Sequence, residues 1–139
     1  MIGPSFGNNF NNRTEEAMGS ALDLWTAFRE RAFGSAVRPW IGYLFLLEDS
    51  PSSTKPVGVK EPHFNVFPEF RNSSYARRYE LICRQLVLEK HYDSSAFLMS
   101  NPEKGLNGDY AEPAADLTFK IFATSLVGRV ETFLRCQQP

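Results

Sequence analysis

The chain predicts an α/β domain in which helices cover a small, at least partly parallel sheet. Three observations predict it. Two short apolar runs, Trp40–Leu47 and Ala96–Ser100, lie inside a chain whose other long patterned stretches are helical. Both runs are nearly continuous rather than alternating, the pattern of strands covered on both faces, as parallel strands are. The element order is helix, strand, loop, helix, strand, helix, which leaves an α+β arrangement open. At 139 residues with 42% apolar content and twelve phenylalanines, the chain is expected to form one domain, residues 1–139, with a sizeable core.

The elements follow in order. Residues 14–33 read as the first helix, with Met18, Ala21, Leu22, Trp25, Phe28 and Ala32 at three- and four-residue steps. Gly34 suits its C-terminal turn, and Gly19 inside it is read as room for a close neighbour. Arg38-Pro39 introduces the strand Trp40–Leu47, which Glu48-Asp49-Ser50-Pro51 ends. Residues 50–62 carry three prolines and read as a surface loop. Residues 63–67 read as a short edge strand, since Pro68 bars a central position. The second helix runs from about Ser74 to His91, with Tyr75, Tyr79, Ile82, Leu86 and Val87 inward. After the strand Ala96–Ser100 and a polar loop, a third helix is expected from Pro113 to Leu134. Leu117, Phe122, Leu126, Val130 and Phe133 are its expected inner face.

The stretch Ser5-Phe6-Gly7-Asn8-Asn9-Phe10-Asn11-Asn12-Arg13-Thr14-Glu15-Glu16-Ala17 is the most unusual. Asn and Gly favour turns, so it reads as an ordered loop feeding a helix capped by Thr14, with Glu15 and Glu16 in the first turn. Met1-Ile2-Gly3-Pro4 runs straight into it, with no leading element read from the sequence. Asn8, Asn9, Asn11, Asn12 and Arg13 are the candidate DNA-binding residues there. Amides can read base edges, and a guanidinium can grip phosphate. The plainer reading is that the asparagines only shape turns. Arg71, Arg77, Arg78 and Arg84 surround the start of the second helix. Arg77 and Arg78 are candidates for following a DNA backbone, against the reading of a solvated face.

Other chemistry is thin. Neither His63 nor His91 has a partner at zinc spacing, and no Walker loop, Gly-x-Ser-x-Gly or dinucleotide fingerprint occurs. Glu48 and Asp49 end a buried strand, a place for metal-binding acids but more often for solvated ones. The formal net charge of −1 neither supports nor excludes a nucleic-acid partner. Two distant cysteines read as reduced thiols. No membrane-spanning apolar run or leader pattern is read, so the expectation is a cytoplasmic protein without a membrane partner.

The asparagine-rich stretch, together with Asp23–Ala27, Arg38–Leu44, Glu61-Pro62-His63-Phe64, Ser74–Leu81 and Glu112-Pro113, resembles the XhoI-type family of type II restriction endonucleases. The resemblance runs along essentially the whole sequence. It implies a PD-(D/E)xK nuclease fold, a homodimer, and Mg2+-dependent cleavage of double-stranded DNA at palindromic CTCGAG. It also implies a strand bearing Glu-x-Lys, with a metal-binding Asp ahead of it, lying before Met1. No residue of this sequence takes those roles. Glu15 and Glu16 stand only as accessory catalytic candidates. The chain then reads as the C-terminal part of such an enzyme, inactive alone. A non-catalytic DNA-binding or protein-interaction module is the second reading.

Overall fold

A computed structural model describes residues 5–34 and 37–137. Residues 1–4, ahead of which the family resemblance places the catalytic strand, lie outside the described residues. The elements are α1 (Phe6–Arg29), β1 (Gly42–Glu48), α2 (Pro51–Thr54), a 3-10 turn (Pro68–Phe70), α3 (Tyr75–Leu88), β2 (Ser94–Ser100), α4 (Pro102–Gly105) and α5 (Phe119–Gln137). β1 and β2 are parallel, in register from Gly42 opposite Ser94 to Glu48 opposite Ser100, with α3 as the crossover between them. The α/β expectation holds.

One face of this two-stranded sheet carries the core. Phe45, Leu47, Phe97 and Met99 pack there against Tyr79 and Cys83 of α3 and Phe6 of α1. A second cluster joins Ala17 and Ala21 of α1 to Leu86 and Tyr92. On the opposite face α5 lies over Gly42, where the Trp40 and Phe122 rings meet edge to face at 5.4 Å.

Several sequence expectations need correction. The asparagine-rich stretch is not a loop: it is the first three turns of α1, which begins at Phe6 rather than Thr14. Each Asn costs helix formation under about 0.7 kcal/mol against Ala. Two inward aromatics outweigh that. Phe6 stacks on Tyr75 at 5.7 Å, and Phe10 meets Tyr79 edge-on at 5.1 Å. Spaced four apart, both rings fall on one helix face. The Thr14 hydroxyl donates back to the Phe10 carbonyl at 2.8 Å inside the helix instead of capping one. The inner stripe is therefore Phe6, Phe10, Ala17 and Ala21, while Met18 and Leu22 are exposed. Nothing lies against Gly19. Gly7 is the close approach, where an added Cβ would sit 2.9 Å from the Tyr75 hydroxyl.

β1 is not covered on both faces. Leu44 and Leu46 are 45% and 49% exposed, whereas β2 is buried along all but its last residue. Residues 63–67 form no strand, and Pro51–Thr54 and Pro102–Gly105 are short helical turns inside the expected loops. The third helix starts at Phe119, not Pro113. The reason lies at the outer edge of β2. The amide of Phe97 donates to the Leu117 carbonyl at 2.9 Å, and Met99 exchanges two backbone bonds with Ala111. The 111–117 segment thus gives its backbone to the sheet edge. The Glu112 carboxylate then accepts the Phe119 amide at 2.8 Å, and Thr118 Oγ1 accepts that of Ile121. Leu126, Val130 and Phe133 consequently point to solvent.

Two outcomes are expected. A Cβ on Gly42 would overlap the Trp40 ring and fall 2.6 Å from that of Phe122. Gly42→Ala should therefore destabilise the fold by about 1–3 kcal/mol, read as a lower urea midpoint. Burial pushes the Tyr43, Tyr79 and Tyr92 hydroxyls above their ordinary range and the Cys83 thiol up to about 11. The unfolded chain releases these protons first, so stability present below about pH 9 should fall progressively above it. Urea melts at about pH 8 and about pH 10 measure the loss.

Candidate nucleic-acid interface

The first three turns of α1 sort their residues onto separate faces. At about 100° per residue, Phe6, Phe10 and Ala17 turn inward, and Asn8, Asn11, Asn12 and Glu15 form a stripe directly opposite. All four of that stripe are exposed. Among the described residues, none of the four asparagine side chains of α1 hydrogen-bonds the protein. The helix thus presents amides outward on a backbone held from behind by rings.

Asn9, Arg13 and Glu16 lie along the flank. Arg13 and Glu16 form an ion pair at 2.6 Å, both half exposed. They border a groove of about 300 Å³ whose other walls are Ala17, Ser20, Tyr43, Leu44, Phe45 and Tyr92. The Tyr92 hydroxyl donates to the Ala17 carbonyl at 2.8 Å and ties the groove floor to α1. Sequence reasoning does not single out Ser20, Tyr43 or Tyr92. The signal that could have found the tyrosines is their polar tips in otherwise apolar surroundings. Glu15 lies on the asparagine stripe and Glu16 on the groove side.

The arginines of α3 are engaged differently. Arg77 pairs with Glu80 at 2.5 Å; Glu80 also holds Arg84 at 2.5 Å, and Arg84 reaches both oxygens of Asp116 at 2.6 and 2.8 Å. That guanidinium holds the Asp116 carboxyl below its ordinary range. Arg78 donates to Ser73 Oγ at 3.0 Å and to the Val57 carbonyl at 3.2 Å, with its guanidinium 5.5 Å above the Tyr75 ring centre. Arg71 binds Glu61 at 3.0 Å, and the same carboxylate accepts the Val66 amide at 2.8 Å. These two contacts lower the Glu61 pKa, the amide first. Sequence reading sees a basic cluster; the structure surrounds it with acids and carbonyls distant in the chain. Arg78 clamps the 57–73 loop to α3, while on α1 Arg13 stays on the flank beside the groove.

Among the described residues, no three His, Cys, Asp or Glu side chains come together as a metal site. Glu48 and Asp49 are no exception. The Glu48 carbonyl accepts from Ser53 Oγ, and the Asp49 amide donates to the Ser100 carbonyl, so their backbones finish the sheet and start α2. The described residues therefore do not fit a magnesium site of their own.

Residues 1–112 match the family described as restriction endonuclease XhoI. The chain belongs to that family. Its relatives are type II restriction enzymes. Over 131 residues it is 62% identical to BstVI of Geobacillus stearothermophilus, covering 94% of this chain and 58% of that enzyme. XhoI of Xanthomonas vasicola is 53% identical over 88 residues, 63% of this chain and 36% of the enzyme. AbrI of Azospirillum brasilense is 62% identical over 64 residues, 46% of this chain and 29% of the enzyme. This XhoI-family chain thus spans little more than half of the first relative. No solved structure matches it.

Arg78→Ala should free the 57–73 loop. Limited proteolysis is expected to cut within residues 57–73 faster in the variant. Stability should fall by about 1 kcal/mol, for two lost hydrogen bonds on a half-buried group.

Proposed function

We propose that this chain is the DNA-gripping portion of a type II restriction endonuclease that cuts double-stranded DNA at a palindromic site, CTCGAG by family resemblance. The observation that carries the reading is the outward stripe Asn8, Asn11, Asn12 and Glu15 on α1, within a chain of the XhoI family. A helix fits the major groove, where Asn can bond adenine through two contacts and a carboxylate can accept from cytosine. Arg13 exchanges its Glu16 partner for phosphate or guanine. Arg77 and Arg78 on α3 are secondary backbone candidates; Arg78 works mainly through the loop it holds. A palindrome calls for two copies related by a two-fold axis.

Cleavage itself belongs to the whole enzyme. When bound, Mg2+ supplies polarisation of the scissile phosphate and an activated water. This chain's own residues bind and orient the duplex. Glu15 and Glu16 stand beside that surface as accessory groups. Cytoplasmic residence, where host DNA and an invading genome meet, accords with this role.

The test has two arms. Duplexes with and without CTCGAG are titrated with wild-type protein and with Asn8→Ala, Asn9→Ala, Asn11→Ala, Asn12→Ala and Arg13→Ala variants. Loss of a base contact should cost about 1–3 kcal/mol of discrimination and leave thermal stability unchanged. Arg13→Ala should weaken all duplexes and flatten the salt dependence. Plasmid incubated with Mg2+ should stay uncut by the chain alone. Equal affinity for both duplexes, untouched by every variant, would overturn the DNA reading and favour a protein-interaction module.

A further inference from the structure

The loop between α2 and α3 holds two large rings in water on a braced backbone. Its neck is closed where the Val57 amide donates to the Ser73 carbonyl at 3.0 Å. Inside it the Glu61 carboxylate accepts the Val66 amide at 2.8 Å and pairs with Arg71 at 3.0 Å. The Phe70 amide donates to the Phe67 carbonyl at 3.0 Å and closes the turn that follows. Pro62 and Pro68 fix φ on either side of the tip. Between them Phe64 is 87% exposed and Phe67 75%. A slack loop could fold such rings away; this one keeps them out. A groove of about 520 Å³ opens beside the tip, with Lys60, Asn65, Phe67, Phe70 and Arg78 among its walls. Single exposed hydrophobics are ordinary, but two rings held out on one short tip mark an interaction surface.

We propose that this tip is a base-stacking wedge for duplex DNA: Phe64 enters between neighbouring base pairs, and Phe67 and Asn65 meet the base that it displaces. The chemistry around the rings selects that occupant. The tip, residues 62–67, carries no acidic side chain, and Glu61 beside it is already engaged by Arg71 and the Val66 amide. Lys60 borders the groove without an ion-pair partner among the described residues, free to meet phosphate. The Asn65 amide on the groove wall suits a base edge. An aromatic ring stacks on any base, and an apolar wedge between base steps partly unstacks and kinks a duplex. The loop is also tied to the helix that carries the asparagines. Phe70 at its foot meets Phe10 edge to face at 6.5 Å, and Phe10 seats the first turns of α1 on Tyr79. One ring thus braces the asparagine turns and the loop against each other. The inference rests on the DNA reading above and adds to it a contact outside α1.

Duplexes carrying 2-aminopurine at single positions within and beside CTCGAG are titrated with the chain. A ring that enters the stack unstacks its neighbours, so emission should rise severalfold at one step and stay flat at the others. Phe64→Ala should abolish that rise and weaken duplex binding about tenfold, whereas Phe64→Trp should keep both. Phe64 is nearly all in solvent, so Phe64→Ala should leave the urea midpoint unchanged, and its loss of binding is not a loss of fold. Arg13→Ala should bind more weakly yet show the full rise at saturation. Duplex binding with no rise at any position, or a rise and affinity untouched by Phe64→Ala, overturns the wedge and leaves the asparagine stripe standing. A wild-type chain that binds no duplex overturns both readings. If Phe64→Ala lowers self-association in sedimentation and leaves duplex binding unchanged, the tip is a protein contact and the wedge is overturned.

Discussion

Tyr79, 1% exposed, stacks on Phe45 at 4.1 Å from one side, and Phe10 meets it edge-on at 5.1 Å from another. Those contacts join α3, β1 and α1 at a single ring, and the rest of the structure hangs on it. Phe45 passes the stack on to Phe97 of β2 at 6.3 Å. A two-stranded sheet is marginal alone. Here its aromatic inner face is sealed by two helices that reach it through the same tyrosine. Aromatic pairs add about 0.5–1.5 kcal/mol each beyond the area they bury. The chain Phe10–Tyr79–Phe45–Phe97 therefore fixes the angle at which α1 leaves the sheet, and with it the direction of the asparagine stripe.

Burial explains what is legible in the sequence. β2 and α3 are readable because their apolar residues are inside, and β1 because its inward half, Phe45 and Leu47, is: Tyr79 and Leu86 sit where the helical stripe puts them, and the apolar runs overlap β1 and β2. Sequence and structure part where local preference and tertiary contact disagree. Four asparagines and a glycine speak for a loop. Phe6 and Phe10, four residues apart, speak for a helix, and their partners Tyr75 and Tyr79 lie nearly seventy residues away. Pro113 looks like a helix start, but the carbonyl of Leu117 is taken by the β2 edge. Leu126, Val130 and Phe133 have the periodicity of a buried face. Periodicity shows that a face is apolar, not what it faces.

The basic cluster teaches the same lesson for charge. In the sequence Arg71, Arg77, Arg78 and Arg84 stand together with Glu80 alone among them. In the fold Glu61 and Asp116 arrive from elsewhere in the chain, and a carbonyl from residue 57 completes the set. Guanidinium groups with several donors suit such bracing. Positive charge in the sequence thus becomes scaffolding around α3. The surface proposed above to read DNA consists largely of uncharged amides on α1, which a search for basic patches passes over.

The division of labour within α1 has an evolutionary side. Inward rings and outward amides alternate over the same three turns, so neither set needs the other's side chains to keep its place. The outward positions 8, 11, 12 and 15 can be exchanged together while Phe6, Gly7 and Phe10 keep the helix seated. Such a helix behaves as a socket with a replaceable face. On the reading proposed above, a library confined to those four exposed positions would vary the DNA-facing side and leave the ring contacts in place.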